Sequence, residues 1–215
     1  MLINSIFQSI NGEVCAQHQG SICTFIRLQG CNLCCPYCDT PDSQSFEKGE
    51  NWNVKDVFNL VRSLPIKTRN ITITGGEPLM QAEELVTLVN LFKGTEEGWK
   101  ISVETNGSLR PISSIKNKVS WVMDCKNHYP KEVEFVFNAL QLTKKDWVKF
   151  MVQSEKDFYA ALKMANYLSG AYSPVKQAWS AVLPMTPQRL FELLAQVENG
   201  NAVLNVQLHK LLNLP

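Results

Sequence analysis

Four of the seven cysteines in this 215-residue chain fall within eight residues, Cys31-Asn-Leu-Cys-Cys-Pro-Tyr-Cys38. Thiolates are the ligands of iron–sulfur clusters. Cysteines at relative positions 1, 5 and 8 of one loop can wrap three corners of a [4Fe–4S] cube. Cys31, Cys35 and Cys38 are then the ligands, the fourth iron is open to a bound molecule, and Cys34 is a spare thiol. The competing arrangement splits the four into two Cys-x2-Cys pairs around a structural zinc. Adjacent Cys34 and Cys35 suit it poorly, because zinc pairs come from separated knuckles. Cys15, Cys23 and Cys125 are scattered and read as small buried apolar side chains.

Two further segments have chemical character. Thr74-Gly-Gly-Glu-Pro78 combines a glycine pair with an acid, and glycines let a backbone approach a ligand closely. Alone it reads as an ordinary turn. Glu104-Thr-Asn-Gly-Ser108 is the second. Arg27 stands a few residues before the cysteine loop, and its planar fork suits a carboxylate.

Alternating strands and helices must position these groups. Strand patterns fall at 22–28, 70–74, 100–104, 119–124, 147–152, 179–183 and 203–207. Between them, Val54–Leu64 has helical spacing with Asn53 as cap and Pro65 as stop, and 82–92 is helical again. Ser154 caps a helix to about Leu168, and Thr186 caps another with Pro187 in its first turn. Such alternation implies a parallel sheet. With about six strands, too few for a full eight-stranded barrel, the expected fold is an α/β open, partial βα barrel forming one domain over residues 1–215. All three motifs follow predicted strands directly, at the carboxyl ends where such folds place their sites.

Composition excludes several classes. The formal net charge is +1, so no basic field points to nucleic acid and no acidic tail to a basic partner. No apolar run approaches the roughly 20 residues of a membrane span. The first residues lack the basic-then-apolar pattern of an export signal, and a cytoplasmic location is expected.

Cys-x3-Cys-x2-Cys after a first strand, with Tyr37 before the last cysteine and Gly75-Gly-Glu-Pro78 after the second, resembles the radical S-adenosylmethionine (SAM) superfamily. Other residues resemble the 7-carboxy-7-deazaguanine synthase family over nearly the whole chain, thinly between Asn127 and Val175. They are Arg27-Leu-Gln-Gly-Cys31, Cys38-Asp-Thr40, Ile6-Phe-Gln-Ser-Ile-Asn-Gly-Glu13 and the ending Leu208-His-Lys-Leu-Leu-Asn-Leu-Pro215. The chain departs from the family at Val14, where glycine is usual, at Asn11, where glutamine is usual, and at Asp124-Cys125, where many members have Ser-Pro.

The resemblance implies a lyase that converts 6-carboxy-5,6,7,8-tetrahydropterin to 7-carboxy-7-deazaguanine with loss of ammonia. It implies a 5′-deoxyadenosyl radical taking hydrogen from C6, ring contraction and regenerated SAM, in 7-deazapurine and queuosine biosynthesis. Cofactors would be the [4Fe–4S] cluster on Cys31, Cys35 and Cys38, SAM, and Mg2+ on Thr40. Substrate contacts carried over are Ile10, Asn11, Gly12, Arg27, Thr74 and Pro215. SAM contacts carried over are Gly76, Asp124, Cys125, Lys126, Pro184 and Met185. Pro215 is expected to fold back so that its carboxylate meets the substrate's guanine-like edge. A homodimer and an unidentified electron donor are also implied. His18, His128 and His209 read as structural or solvated. Competing readings are a glycyl-radical enzyme activase, which uses the same cysteine loop on a protein substrate, and a zinc-stabilised binding module.

Cys31→Ala, Cys35→Ala and Cys38→Ala should each abolish cluster binding, because each removes one thiolate corner. Cys34→Ala should keep its iron; equal loss in Cys34→Ala and Cys35→Ala, by iron analysis after anaerobic reconstitution, would overturn the ligand assignment.

Overall fold

The computed structural model describes residues 1–126, 132–197 and 202–215. His128 lies outside the described residues. The strands are β1 (Leu2–Ile10), β2 (Ile22–Leu28), β3 (Glu50–Asn51), β4 (Asn70–Gly75), β5 (Lys100–Thr105), β6 (Ser120–Lys126), β7 (Trp147–Val152), β8 (Lys176–Ala181) and β9 (Ala202–Asn205). The helices are α1 (Val54–Ser63), α2 (Ala82–Lys93), α3 (Glu132–Ala139), α4 (Glu155–Gly170), α5 (Pro187–Leu194) and α6 (Leu208–Leu211). The described strands form one sheet in the order β3-β1-β2-β4-β5-β6-β7-β8-β9. Every pair from β2 onward is parallel, while β1 pairs antiparallel with β2 and β3. The ends β3 and β9 do not pair, so the barrel is open as expected. No described helix is long and apolar enough to cross a membrane.

The sheet is wider than expected, with nine described strands against the seven strand patterns and the count of about six read from sequence. β1 escapes a pattern reading because Asn4, Ser5, Gln8 and Ser9 break up its apolar residues, in keeping with a strand that is only half-buried. β3 has two residues, too few for any period. The strand expected at 179–183 begins earlier, at Lys176, and residues 208–211 form a helix rather than a plain tail.

Helix ends follow their local chemistry. Asn53 accepts from the Lys55 N–H, Ser154 from Asp157 and Thr186 from Arg189, each satisfying a free amide of a first turn. The strands alternate with period two. Ile71, Ile73, Ile101, Val103, Trp121, Met123, Val148 and Phe150 join the apolar core beneath the helices. Their neighbours on the other face are largely polar: Thr72 and Thr74, Ser102 and Glu104, Asp124 and Lys126, and Lys149. A parallel sheet covered on both faces by packed elements is apolar on both; here the polar face looks onto a cavity.

Close backbone contact joins β2 to the turn after β4. Gly76 N–H donates to Leu28 O at 3.1 Å, and Glu77 N–H to Gly30 O at 2.8 Å. A Cβ on Gly75, whose φ is +144°, would stand 2.2 Å from Leu28 O, and one on Gly76 would stand 2.1 Å from Gly30 O. The glycines therefore leave room for the backbone that leads into Cys31 as well as for any ligand. Gly76→Ala should cost on the order of 1–3 kcal/mol through this overpacking and reduce iron uptake. A native melting temperature together with full iron content would show that the contact can be relaxed.

Candidate functional site

A cavity of about 710 Å³ opens at the carboxyl ends of the parallel strands. Cys31, Cys35, Cys38 and Thr40 line one side. Asn11, Gly12, Arg27, Thr74 and Pro215, all expected to meet substrate, line it too. So do Gly76, Asp124, Lys126 and Met185, expected to meet SAM. Three expected residues are not in its wall. Ile10 ends β1, Pro184 follows β8, and Cys125 alternates with Asp124 and Lys126 so that its side chain joins the helix-side core.

The cysteine loop is held by its neighbours. Cys34 is exposed and borders a separate shallow hollow, while Cys31, Cys35 and Cys38 are half-buried in the cavity wall. Among the described residues no three His, Cys, Asp or Glu side chains converge on one point as a single ion requires. Cys34 does not line the cavity wall that the other three thiols share. Three thiols spread along one wall suit a cluster, whose thiolates each bind a different iron. Burial pushes the Cys31 and Cys35 thiols up, opposed at Cys31 by the Leu33 N–H and Asn106 amide and at Cys35 by the Lys126 ammonium.

Glu77 of the glycine turn is fully buried and makes no contact with the cavity. Its carboxylate accepts from Leu79 N–H at 3.0 Å, Thr105 Oγ1 at 2.9 Å and Asn106 N–H at 2.7 Å. Burial pushes this carboxyl up, against the pull of those donors. The acid of the motif is therefore a fastener between the glycine turn and the end of β5.

An ion network occupies the floor. Lys149 Nζ pairs with Glu13 and lies 3.0 Å from Asp124 Oδ1, and Lys126 Nζ lies 2.8 Å from Asp124 Oδ2. Burial disfavours the charges of Asp124, Lys126 and Lys149, and their partners outweigh it. Asp124 is held below the usual carboxylate range, and the ammonium groups of Lys126 and Lys149 are held above theirs. Glu104 is the acid left over. Burial, with Glu13 and Asp124 nearby, pushes it up to about 7 despite Lys149 and the Thr74 hydroxyl.

Arg27 stands beside a stacked aromatic pair. Its guanidinium lies 5.8 Å from the Phe7 centroid, and Phe7 stacks on Phe25 at 5.1 Å. It has no carboxylate partner among the described residues. Thr40 occupies the cap position of the 3-10 turn Pro41–Ser43, yet its hydroxyl makes no capping bond. Asn11 is anchored: its Oδ1 accepts from Thr72 Oγ1 at 2.7 Å, its N–H donates to Ser21 O at 2.8 Å, and its carbonyl accepts from Gly20 at 2.7 Å. Gly12 O accepts from Leu208 N–H at 3.0 Å. The His209 ring fills the space where a Gly12 Cβ would sit, and the Asp39 carboxylate accepts from Gln207 Nε2 at 3.2 Å. Residues 207–210 thus strap the segment around Gly12 to the cysteine loop, and His209, read from sequence as structural or solvated, lines the cavity.

A family model described as a 4Fe-4S single cluster domain matches residues 16–128. The chain is 32% identical over 221 residues to the 7-carboxy-7-deazaguanine synthase of Clostridium acetobutylicum, covering 96% of this chain and 93% of that protein. The chain belongs to the 7-carboxy-7-deazaguanine synthase family. The member from Methanospirillum hungatei is 33% identical over 215 residues, covering 100% of this chain and 86% of its own. In fold, the chain is similar to the crystal structure of QueE from Escherichia coli, with a TM-score of 0.73, 21% identity and coverage of 96% and 93%.

Within that family frame, Lys149 is the cavity residue that sequence reading passed over. Its signal was a lone charge between Val148 and Phe150 in a buried strand, in register with Asp124 on β6. Glu13 and Glu104 were visible only as parts of motifs. Because the folded chain holds the Glu104 proton more tightly than the unfolded chain, its contribution to stability is full below about pH 4.5 and is lost as pH rises to about 7. Glu104→Gln should therefore lose less stability than the native chain between about pH 5 and about pH 8. Parallel losses in urea denaturation at the two pH values would contradict this assignment.

Proposed function

We propose that this chain is a radical SAM lyase that converts 6-carboxy-5,6,7,8-tetrahydropterin to 7-carboxy-7-deazaguanine, with ammonia as the second product. The observation that carries the reading is one cavity lined by Cys31, Cys35, Cys38, Arg27, Thr40 and Thr74 in a chain that matches the family end to end. Nothing in the comparisons favours the glycyl-radical activase, and Cys34 lies apart from the three cavity thiols that a four-thiol zinc site would have to share.

Cys31, Cys35 and Cys38 would hold the cluster, and Gly76, Asp124, Lys126 and Met185 would lie along SAM. The bound cluster and SAM supply one-electron chemistry that begins with hydrogen abstraction at C6 of the substrate. The chain's own residues bind, orient and exclude water. Arg27 would grip the substrate carboxylate. Its face rests on Phe7, and no protein carboxylate competes for its donors among the described residues. The Thr40 hydroxyl makes no capping bond and lies 3.9 Å from Cys38 Sγ, and it suits a magnesium ion, which keeps few protein ligands and completes its shell with water and substrate oxygens. Thr74 pairs with Arg27 in the β2–β4 register, so both belong to the substrate side. Asn11 and Gly12, whose backbone carbonyls are already engaged, would shape the wall. Pro215, at the cavity edge, would close it over the substrate. A homodimer, a one-electron donor and a cytoplasmic setting complete the proposal.

The test is anaerobic incubation of the reconstituted protein with the carboxytetrahydropterin, SAM, Mg2+ and a reductant, with product read by mass spectrometry. Formation of 7-carboxy-7-deazaguanine without net SAM loss is expected, and chelation of divalent metal should slow it. Arg27→Ala should keep its cluster and raise KM by a binding loss on the order of 2–5 kcal/mol. Glycyl-radical formation on an added protein with consumption of SAM, and no deazaguanine product, would replace this reading with the activase.

A further inference from the structure

The end of β5 aims an amide at a cluster ligand. Asn106 is buried, 8% exposed, and its backbone N–H and both ends of its side-chain amide are directed. Its backbone N–H is fixed on Glu77 Oε2 at 2.7 Å. Its side-chain Oδ1 accepts from the Ser108 N–H at 2.9 Å. A backbone N–H can only donate, so the atom facing it must be oxygen, and the opposite end of the amide must be the NH2 group. That Nδ2 donates to Asn32 Oδ1 at 3.1 Å and lies 3.8 Å from Cys31 Sγ. Asn32 is oriented in turn, with its own Nδ2 donating to Ser108 Oγ at 2.9 Å. The two amides and the serine form a closed ring whose remaining donor points at the sulfur.

We propose that Asn106 is a positioning residue that tunes the iron–sulfur cluster through an N–H···S hydrogen bond to the Cys31 thiolate. This rests on the reading of Cys31 as a cluster ligand. Reduction adds one electron to the cluster and makes its ligand sulfurs more negative. A donor aimed at such a sulfur stabilises the reduced state more than the oxidised one, and hydrogen bonds to sulfur are among the terms that set cluster potentials. Asn106 thus makes the cluster easier to reduce. It does so from the segment Glu104–Ser108 at the end of β5. Glu77 serves the same end indirectly, because it fixes the backbone from which the amide projects.

The experiment is a redox titration of the anaerobically reconstituted cluster without SAM, followed by electron paramagnetic resonance, on native protein, Asn106→Ala and Asn32→Ala. Asn106→Ala should be harder to reduce, with a reduced-to-oxidised ratio about three- to tenfold lower at a fixed potential; tenfold corresponds to about 59 mV for one electron. Asn32→Ala, which keeps the donor but releases its orientation, should shift in the same direction by less. An unchanged potential in Asn106→Ala with full iron content overturns the proposal. If that variant cannot hold iron, an unchanged potential in Asn32→Ala overturns it, and a negative shift supports it. Native protein that takes up no cluster would instead sink the reading of Cys31 as a ligand.

Discussion

Three segments of this molecule meet at the buried residue Glu77. It accepts from its own turn, from the Thr105 hydroxyl and from the Asn106 N–H, while the N–H of the same residue donates to Gly30 O. The cysteine loop, the glycine turn and the end of β5 are thereby fixed relative to one another before any ligand arrives. A buried carboxylate is tolerable only with such a set of donors. Its neighbours in sequence, Gly75 and Gly76, make the contact sterically available. The cysteine loop and the glycine turn take their relative position from this junction.

The second constraint is charge. Glu13, Glu104 and Asp124 face Lys126 and Lys149 on the polar side of the sheet, leaving one negative charge in excess when all are ionised. Glu104 absorbs the mismatch by holding its proton more tightly. Asp124 bridges the two lysines. The network joins the β1–β2 connection, which carries Glu13, to β6 and β7, so the two sides of the cavity share one electrostatic element.

Much of this was legible in the sequence, for identifiable reasons. The cysteine spacing is a local covalent fact and needs no fold to interpret it. The βα alternation was readable because Ile71, Ile73, Ile101 and Val103 repeat at strand period between capped helices. The widening by β1 was not, since a half-buried strand does not have to alternate cleanly. Lys149 was not, because its meaning depends on Asp124 across the sheet, more than twenty residues away. Cys125 was grouped with its neighbours as a cofactor contact, but strand alternation turns its side chain to the opposite face; adjacency in sequence is the wrong metric within a strand.

The strap formed by Gln207, Leu208 and His209 also orders events in time. Its contacts reach back to Gly12 and Asp39, so this part of the wall is made from residues that leave the ribosome after every strand of the sheet. Until they emerge, the cysteine loop and the glycine turn can already be assembled around Glu77 while the flank beside them stands open.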